Sequence, residues 1–383
     1  MNGFGYLAEQ DIYLDSGCQT LRPEPVIKAV DEYYREYNSC GNRVKYKWGT
    51  KVDEAVEQTR EIVLKFAGKS STDYLCAFTL NTTYGINLIL CQLPSAKYKR
   101  IITSEIEHNS VMVPTIAYSQ KYGWQHLVLP RAADGSLLYK PEQLKDAVVV
   151  LNATSNFDGR QLVNLKQLTK DVHKVGGIII LDGAQTMAHC PRLIRDVDFD
   201  ALCFSGHKVY GPSLGVIVIK RDLVDQLELS FLGGGTVTDV QEDGYELHSG
   251  SVEVLEPGLQ NYSGIIGLGA ALRWLESQPD PESYEAALGE QLYDGLKAIP
   301  NLEIINSGPS SIISCYSPKI DAHQLAASLS DQNIMVRSGY FCCHFFLEET
   351  KNYPRLLRFS IGLNNTPEQV EKATSALRKL LDT

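Results

Sequence analysis

An acidic residue and a lysine follow two successive apolar segments near the middle of the chain. The segment 178–181 is directly followed by Asp182, and Lys208 lies four residues after the end of the segment 201–204. Short apolar runs of this kind are typical of buried strands, and open α/β sheets bind ligands beyond the carboxyl ends of their strands. An amine that can bond to a carbonyl carbon and a carboxylate that can keep a pyridine nitrogen protonated suit pyridoxal phosphate (PLP).

The residues around these two positions favour a functional site over two separate structural roles. An isolated Asp after a strand is usually a helix cap, and an isolated Lys usually lies on the surface. Here Ser205 and His207 place a hydroxyl and an imidazole beside Lys208, and a Gly-Pro pair then leads into another apolar segment at 215–219. We therefore interpret the stretch as a PLP-binding site.

Two motifs in this stretch resemble those of a known enzyme family: Asp-Gly-Ala-Gln at 182–185 and Ser-Gly-His-Lys-Val-Tyr-Gly-Pro at 205–212. They are similar to motifs of the class V aminotransferase family of fold-type I PLP enzymes. Within that family they look most like the Suf-type (group II) cysteine desulfurases and selenocysteine lyases. The resemblance implies that Lys208 binds the cofactor covalently and that Asp182 holds its pyridine nitrogen. It further implies that Gln185, Ser205 and His207 belong to the cofactor site.

A pair of threonines, Thr82 and Thr83, follows the predicted strand 77–80 and begins an apolar helical segment. Backbone N–H groups and a hydroxyl at a helix N-terminus form an anion site. The pair is similar to the family's phosphate-binding threonines, which implies a role in binding the cofactor. An ordinary helix cap is the alternative, and Tyr84 stands where the family has an acid.

Two further polar residues follow predicted strands. His108 comes after the strand 100–103 and resembles the family's histidine that stacks on the cofactor and shuttles protons. The resemblance therefore implies a catalytic and cofactor-binding role, although an isolated histidine is more often structural. Asn156, in the loop after the strand 148–151, is similar to the asparagine that contacts the cofactor's phenolic oxygen beside the substrate. Asn109 replaces a second histidine that is common in relatives.

A second chemical element lies near the C-terminus, where Arg337, Gly339 and Cys342 are spaced as in the family's Arg-x-Gly-x-x-Cys loop. The resemblance implies that Cys342 is the nucleophile that accepts sulfur. Cys343 follows it directly, and two buried structural cysteines are the alternative reading. Because neighbouring residues of an extended segment point to opposite sides, we expect Cys342 to face the cofactor and Cys343 to face away. We also expect a nearby cation, such as Arg337 or a protonated histidine, to assist the Cys342 thiolate.

Two arginines are candidates for binding the substrate. Arg358 matches the family's arginine for the α-carboxylate, and a guanidinium presents a planar fork that suits two carboxylate oxygens. Arg43, in a polar loop between two predicted helices, resembles an arginine that approaches the substrate, and an exposed loop residue is an equally good interpretation. The short interval between Arg337 and Arg358 resembles the corresponding interval in the Suf-type group.

The predicted elements would place these residues along one edge of a sheet. From residue 77 to residue 219 short apolar strands alternate with helical segments, which predicts a mostly parallel, helix-covered sheet. The fold class is therefore α/β, of the fold-type I PLP enzymes, with a small α+β C-terminal domain. We expect an N-terminal arm (1–20), a large PLP-binding domain (21–265) and a small domain (266–383). The small domain should contain strands at 302–306, 311–315 and 357–361 and helices at 321–332 and 367–382.

Composition narrows the possible functions. The 383 residues carry a net charge of −10, which argues against nucleic acid as a partner because phosphate binding needs a basic face. No segment approaches the roughly 20 apolar residues of a membrane span. The nine cysteines show no Cys-x-x-Cys pairs, which favours reduced thiols over disulfides or a metal site. With no signal-like N-terminus, a cytoplasmic location is the expectation.

The resemblance implies that the protein is a cysteine desulfurase. Such an enzyme converts L-cysteine to L-alanine and passes the sulfur to a cysteine persulfide, for example for iron–sulfur assembly. It also implies a homodimer and a sulfur-acceptor protein as partners. Two alternatives remain: a PLP-dependent C–S or C–Se lyase, or another class V enzyme, in which Cys342 is incidental; and a scaffold that has lost catalysis. Tyr84, Asn109 and Leu259, which replaces a threonine of the family, keep the first alternative open.

Overall fold

The computed structural model describes residues 3–42 and 44–382. Its strands are β1 (Ile12–Tyr13), β2 (Tyr74–Thr79), β3 (Arg100–Ser104), β4 (Gln125–Leu129), β5 (Ala147–Asn152), β6 (Ile178–Asp182), β7 (Ala201–Ser205), β8 (Gly215–Lys220), β9 (Val237–Gln241), β10 (Gly244–Leu247), β11 (Glu303–Ile304), β12 (Ile312–Tyr316), β13 (Ile334–Met335), β14 (Arg337–Gly339) and β15 (Leu356–Ser360). Its α-helices are α1 (Glu24–Glu36), α2 (Lys47–Phe66), α3 (Thr82–Cys91), α4 (Asn109–Tyr122), α5 (Leu165–Lys174), α6 (Thr186–His189), α7 (Arg192–Arg195), α8 (Arg221–Val224), α9 (Tyr262–Ser277), α10 (Pro281–Lys297), α11 (Ala322–Ser330) and α12 (Pro367–Leu381).

A seven-stranded sheet forms the centre of the fold, in the order β2-β8-β7-β6-β5-β3-β4. Only β8 runs against its neighbours β2 and β7, and the other pairs are parallel. The predicted fold class, a fold-type I α/β sheet that is largely parallel, is therefore confirmed. The strands β5 and β6 are buried along their whole length, as expected of parallel strands whose two faces are both covered.

Successive side chains of each central strand enter different hydrophobic cores. In β5, Val149 and Leu151 face the core that α1, α2, α5 and α9 cover. Val148 and Val150 face the opposite core, which α3 and part of α4 cover. This alternation follows from the two-residue period of a strand. It explains why these segments contain apolar residues without interruption.

The C-terminal part of the chain builds a smaller antiparallel sheet, in the order β11-β12-β15-β14. Residues of α10, α11 and α12 pack on it, and so do Ile12 and Leu14 from the N-terminal arm. The arm is fixed there because β1 pairs with β13. The division of the chain at residue 265 stays a prediction, and α9, which lies across it, packs on α1 and α2 of the large domain.

The region between β8 and α9 contains an antiparallel hairpin, formed by β9 and β10. No helix in the part of the chain that the structure describes is long and apolar enough to cross a membrane.

Candidate active site

The carboxyl ends of the parallel strands open into a cavity of about 290 Å³. Every residue predicted for the site, with the exception of Arg43, lines this one cavity: Thr82, Thr83, His108, Asn156, Asp182, Gln185, Ser205, His207, Lys208, Cys342 and Arg358. Arg43 lies outside the described residues. The topology produces this convergence because β2, β3, β5, β6 and β7 all end at the same edge of the sheet.

Lys208 and Asp182 are two buried ionisable groups that line the cavity and influence each other's pKa. Lys208 ends the short turn Gly206–Lys208 that follows β7. Burial lowers the pKa of the Lys208 amine, and the Asp182 charge opposes that shift. A lowered pKa favours the unprotonated amine, which is the nucleophilic form. Burial raises the pKa of Asp182, while the N–H of Ala184 donates to its Oδ1 at 2.9 Å and favours the carboxylate.

The N-terminus of α3 presents a cluster of hydroxyl groups. The Thr82 N–H donates to Ser205 Oγ at 2.9 Å, and the two hydroxyls of these residues are 2.6 Å apart. Thr83 Oγ1 lies 2.7 Å from the hydroxyl of Ser110, which stands at the start of α4. Two helix N-termini and three or more hydroxyls therefore meet, an arrangement that suits a phosphate group.

His108 combines a structural role with a place in the cavity. Its Nδ1 accepts from the Ser110 N–H at 3.0 Å and so caps α4. An Nδ1 that accepts leaves the ring proton on Nε2. Burial, and then the positive charge of Lys208, lower the pKa of His108 to about 3. The ring is therefore neutral at physiological pH and is an Nε2–H donor.

Two further side chains, those of His207 and Gln185, line the cavity. Burial and the Lys208 charge lower the pKa of His207 to about 4, so this imidazole is also neutral. Gln185 is 2% exposed, and its Nε2 donates to the Gly17 carbonyl at 2.7 Å. Its Oε1 has no hydrogen-bond partner among the described residues. A buried amide oxygen without a partner is costly unless a ligand supplies one.

Arg358 is almost completely buried, with 1% of its surface exposed. Its Nη2 donates to Asp15 Oδ1 at 2.9 Å, and its Nη1 donates to the Asn156 carbonyl at 2.8 Å. Burial lowers the pKa of Arg358, and the Asp15 carboxylate opposes that effect. Arg358 Nε has no hydrogen-bond partner in residues 3–42 and 44–382. Of the five N–H donors of the guanidinium, the two bonds above use two, and the Nε–H is among those that remain for a ligand.

The cysteine loop is a tight turn and not the extended segment that the sequence suggested. Phe341 and Cys342 have φ angles of 51° and 57°, in the left-handed region, which residues other than glycine seldom adopt. The Asn109 N–H donates to the Cys342 carbonyl at 2.6 Å, and Asn156 Nδ2 donates to the Phe341 carbonyl at 2.7 Å. Strain of this kind persists only where surrounding contacts hold it. Here those contacts keep Cys342 at the cavity.

The two adjacent thiols lie in different environments, as expected, although the geometry behind that expectation was wrong. Cys342 lines the cavity, whereas Cys343 is 0% exposed and packs with Ile106, Phe157 and Phe346. Burial raises the pKa of Cys343 far above its usual value, and the nearby Glu107 adds to the effect. Since the thiolate is the nucleophile, Cys343 is a poor candidate and Cys342 is the better one.

Sequence reasoning missed two residues of the site, Asp15 and Cys18. Both lie in the N-terminal arm, and Cys18 lines the cavity. Arg337 Nη1 donates to Cys18 Sγ at 2.7 Å, so the arginine that we expected beside Cys342 contacts a different thiol. The Asp-Ser-Gly-Cys order after β1 is a turn signal, but nothing in it indicates which site the turn approaches.

The substitutions that depart from the family pattern lie at the edge of this arrangement. Tyr84 stands in the first turn of α3 and its ring lies 6.3 Å from that of Phe231. Asn109 holds the cysteine loop and contacts His344 Nδ1 at 3.0 Å. Leu259 is 68% exposed. None of the three displaces a residue that lines the cavity floor.

Comparison with known proteins identifies the family. The family model described as Aminotransferase class-V matches residues 12–373. The chain belongs to the class V aminotransferase family. It is 32% identical to a probable cysteine desulfurase of Haemophilus influenzae, over 99% of this chain and 88% of that protein. It is 30% identical to a probable cysteine desulfurase of Pyrococcus abyssi, over 98% and 95% of the two chains. The apo structure of a cysteine desulfurase from Thermococcus onnurineus superposes with a TM-score of 0.89 at 28% identity, covering 97% and 95% of the two chains.

PLP is the cofactor that this family binds, and the residues of the cavity fit it. Lys208 would bind its aldehyde carbon, Asp182 its pyridine nitrogen, and the hydroxyl cluster of Thr82, Thr83 and Ser205 its phosphate. The unpartnered Gln185 Oε1 supports the fit, because it is a buried polar atom that a ligand in this cavity can satisfy. Bound PLP supplies an electron sink for the carbon next to its imine bond.

Proposed function

We propose that this protein is a PLP-dependent cysteine desulfurase that converts L-cysteine to L-alanine and takes the substrate sulfur onto Cys342. The observation that supports this most directly is the presence of a thiol, a guanidinium and a buried amine in one cavity: Cys342, Arg358 and Lys208. The names of the relatives point the same way.

Each of these groups has a task for which its surroundings suit it. Arg358 binds the substrate carboxylate and so orients the Cα–H bond toward Lys208. The Lys208 amine, which burial favours in its neutral form, removes the Cα proton and returns a proton during product formation. The Cys342 thiolate attacks the substrate sulfur, the C–S bond breaks, and the sulfur remains on Cys342 as a persulfide while the carbon skeleton leaves as alanine.

The assay that tests this proposal is product analysis of the holoenzyme with L-cysteine. We expect alanine in the solution and one added sulfur atom on the peptide that contains Cys342. A β-lyase would instead yield pyruvate and ammonia and would not need the thiol. Cys342→Ser is the matched variant: it should lose alanine formation and keep the cofactor's visible absorbance. Pyruvate as the main product, or full activity of Cys342→Ser, would contradict the proposal.

We further propose that the protein acts as a homodimer in the cytoplasm and passes its sulfur to an acceptor protein, for example in iron–sulfur assembly. Large apolar side chains with exposed surface support the dimer, among them Trp48, Leu80 and Leu259, since an isolated subunit would leave them in water. Light scattering after size-exclusion chromatography measures the mass of the holoprotein directly. A monomer at micromolar concentration would contradict this proposal.

A further inference from the structure

Cys18 is a second thiol in the active-site cavity. It is partly exposed and lines the same 290 Å³ space as Lys208 and Cys342. Arg337 Nη1 lies 2.7 Å from Cys18 Sγ. A guanidinium has only donors, so the sulfur is the acceptor and stands beside a fixed positive charge. Reactive cysteines occupy electropositive, partly exposed surroundings of this kind.

The backbone around Cys18 holds the sulfur in place. The Gly17 N–H donates to Ser360 Oγ at 2.8 Å, and Gln185 Nε2 donates to the Gly17 carbonyl at 2.7 Å. A Cβ at Gly17 would lie 3.2 Å from Ser360 Oγ and 3.4 Å from Arg358 Cζ. The residue before Cys18 therefore approaches Arg358 closely, and a side chain there would crowd Ser360 and Arg358.

The wall beside Cys18 also has an open hydrogen-bonding position. Gln185 anchors this turn, is 2% exposed and lines the cavity, yet its Oε1 has no partner among the described residues. A buried acceptor in this state is completed by a ligand, and bound PLP is the ligand already assigned to it. Cys18 is thus part of a surface built to contact bound molecules.

Arg337 connects Cys18 with the loop of Cys342. It stands on β14, directly before the left-handed turn at Phe341 and Cys342. Its Cα is paired with that of Arg358 on β15. The positive charge that begins the cysteine loop is therefore directed at Cys18.

From this arrangement, and resting on the proposed function, we propose that Cys18 is a second sulfur carrier of the enzyme. The Cys18 thiolate attacks the outer sulfur of the Cys342 persulfide. A new S–S bond forms at Cys18, the S–S bond at Cys342 breaks, and Cys342 leaves as a thiolate. The proton of the persulfide stays with the transferred sulfur or exchanges with water. The numbers of S–S bonds and of electrons are unchanged, so the step needs no oxidant or reductant.

The test follows sulfur through the wild-type holoenzyme after a single turnover with limiting L-cysteine. Samples are quenched at increasing times with an alkylating reagent and digested, and the peptides of Cys18 and Cys342 are weighed. We expect one added sulfur atom, which is the label, first on the Cys342 peptide and later on the Cys18 peptide. Cys342→Ser should lose the label on Cys18 completely, whereas Cys18→Ser should carry label on Cys342 alone. The peptides of Cys40 and Cys91, which are also partly exposed but do not line the cavity, serve as internal controls.

Several results would overturn the inference, and they separate it from the proposed function. Label on Cys342 but never on Cys18, with alanine formed, refutes the relay and leaves the desulfurase intact. Label on Cys18 in Cys342→Ser shows that sulfur arrives there by another route. Equal label on Cys40 or Cys91 shows unspecific reaction with released sulfide. Pyruvate with no labelled cysteine refutes the desulfurase itself, and the relay with it.

Discussion

Asp15→Asn should lower the free energy of unfolding of the ligand-free protein. It should also make the protein bind amino-acid carboxylates more tightly. Asp15 Oδ1 accepts from Arg358 Nη2 at 2.9 Å, and it is the carboxylate that balances this buried guanidinium. In Asn the amide oxygen can still accept the hydrogen bond, so the substitution removes the negative charge and little else. The carboxylate of a bound amino acid would then supply the anion that Arg358 lacks.

The size of the effect follows from the burial of the two partners. Leaving one ion of a buried pair without its partner costs about 3–5 kcal/mol. The Asp15 side chain is 20% exposed and the hydrogen bond itself is kept. We therefore expect the free energy of unfolding to fall by about 2 kcal/mol, which is below that range. If a ligand carboxylate restores half of it, about 1 kcal/mol, the dissociation constant falls about fivefold.

Two measurements on the holoprotein check this prediction. Urea unfolding should show a lower midpoint for Asp15→Asn, and titration with L-alanine, followed by the cofactor's absorbance, should show a lower dissociation constant. The matched control is Asp31→Asn, which breaks an exposed Arg–Asp pair with a distance of 2.6 Å to Arg35 and should leave the unfolding midpoint nearly unchanged. Weaker binding of L-alanine by Asp15→Asn would refute the reasoning, because it would mean that Asp15 positions Arg358 for the ligand and does not compete with it.

Four further predictions concern the predicted site residues. Lys208→Ala should abolish turnover, because no other amine lines the cavity among the described residues; product assays after PLP addition measure this. Asp182→Asn should retain PLP, visible in the absorbance spectrum, but lose most activity, since an amide cannot stabilise a pyridinium by charge. Cys343→Ala should keep the persulfide on Cys342 and most of the activity, with a stability loss of about 1 kcal/mol from the small cavity; absence of the persulfide would contradict it. His108 binds its proton less tightly in the folded protein than in the unfolded chain, so its contribution to stability is lost as pH falls from about 6.5 toward 3. His108→Asn preserves the helix cap. This variant should show a smaller drop in unfolding midpoint between pH 7 and pH 5 than the wild type.

The sequence predicts most of the central sheet because six of its seven strands carry their own apolar signal, whereas β4, whose side chains are mostly exposed or half-buried, was not predicted. The apolar runs at 178–181 and 215–219 differ from β6 and β8 by one residue at the C-terminal end. The second of the two helices predicted around Arg43 begins at Lys47, as α2. Its N-cap residue Tyr46 makes no side-chain capping bond, so no local signal marks the start.

The site residues that lie at strand ends were predictable from the sequence. Those that the N-terminal arm contributes were not. Asp182 and Lys208 follow strands of one sheet, so their convergence comes from the topology alone. Asp15 and Cys18 reach the cavity because β1 pairs with β13 and Asp15 bridges to Ser360, contacts between residues more than 300 positions apart. No local pattern encodes such pairings. The left-handed φ of Cys342 is equally invisible in the sequence, since it depends on the contacts from Asn109 and Asn156.

The charges around the cavity indicate what it can bind. Two guanidinium groups, of Arg337 and Arg358, and the amine of Lys208 surround the space, and the carboxylates of Asp15 and Asp182 oppose them. Burial is the main cause of the lowered pKa values of both cavity imidazoles, and the nearby positive charge adds to it. Three basic side chains thus lie together around this cavity, although the whole chain has a net charge of −10. Such a site attracts a ligand with a phosphate, a carboxylate and a thiolate or persulfide, the anionic groups that the proposed reaction brings together.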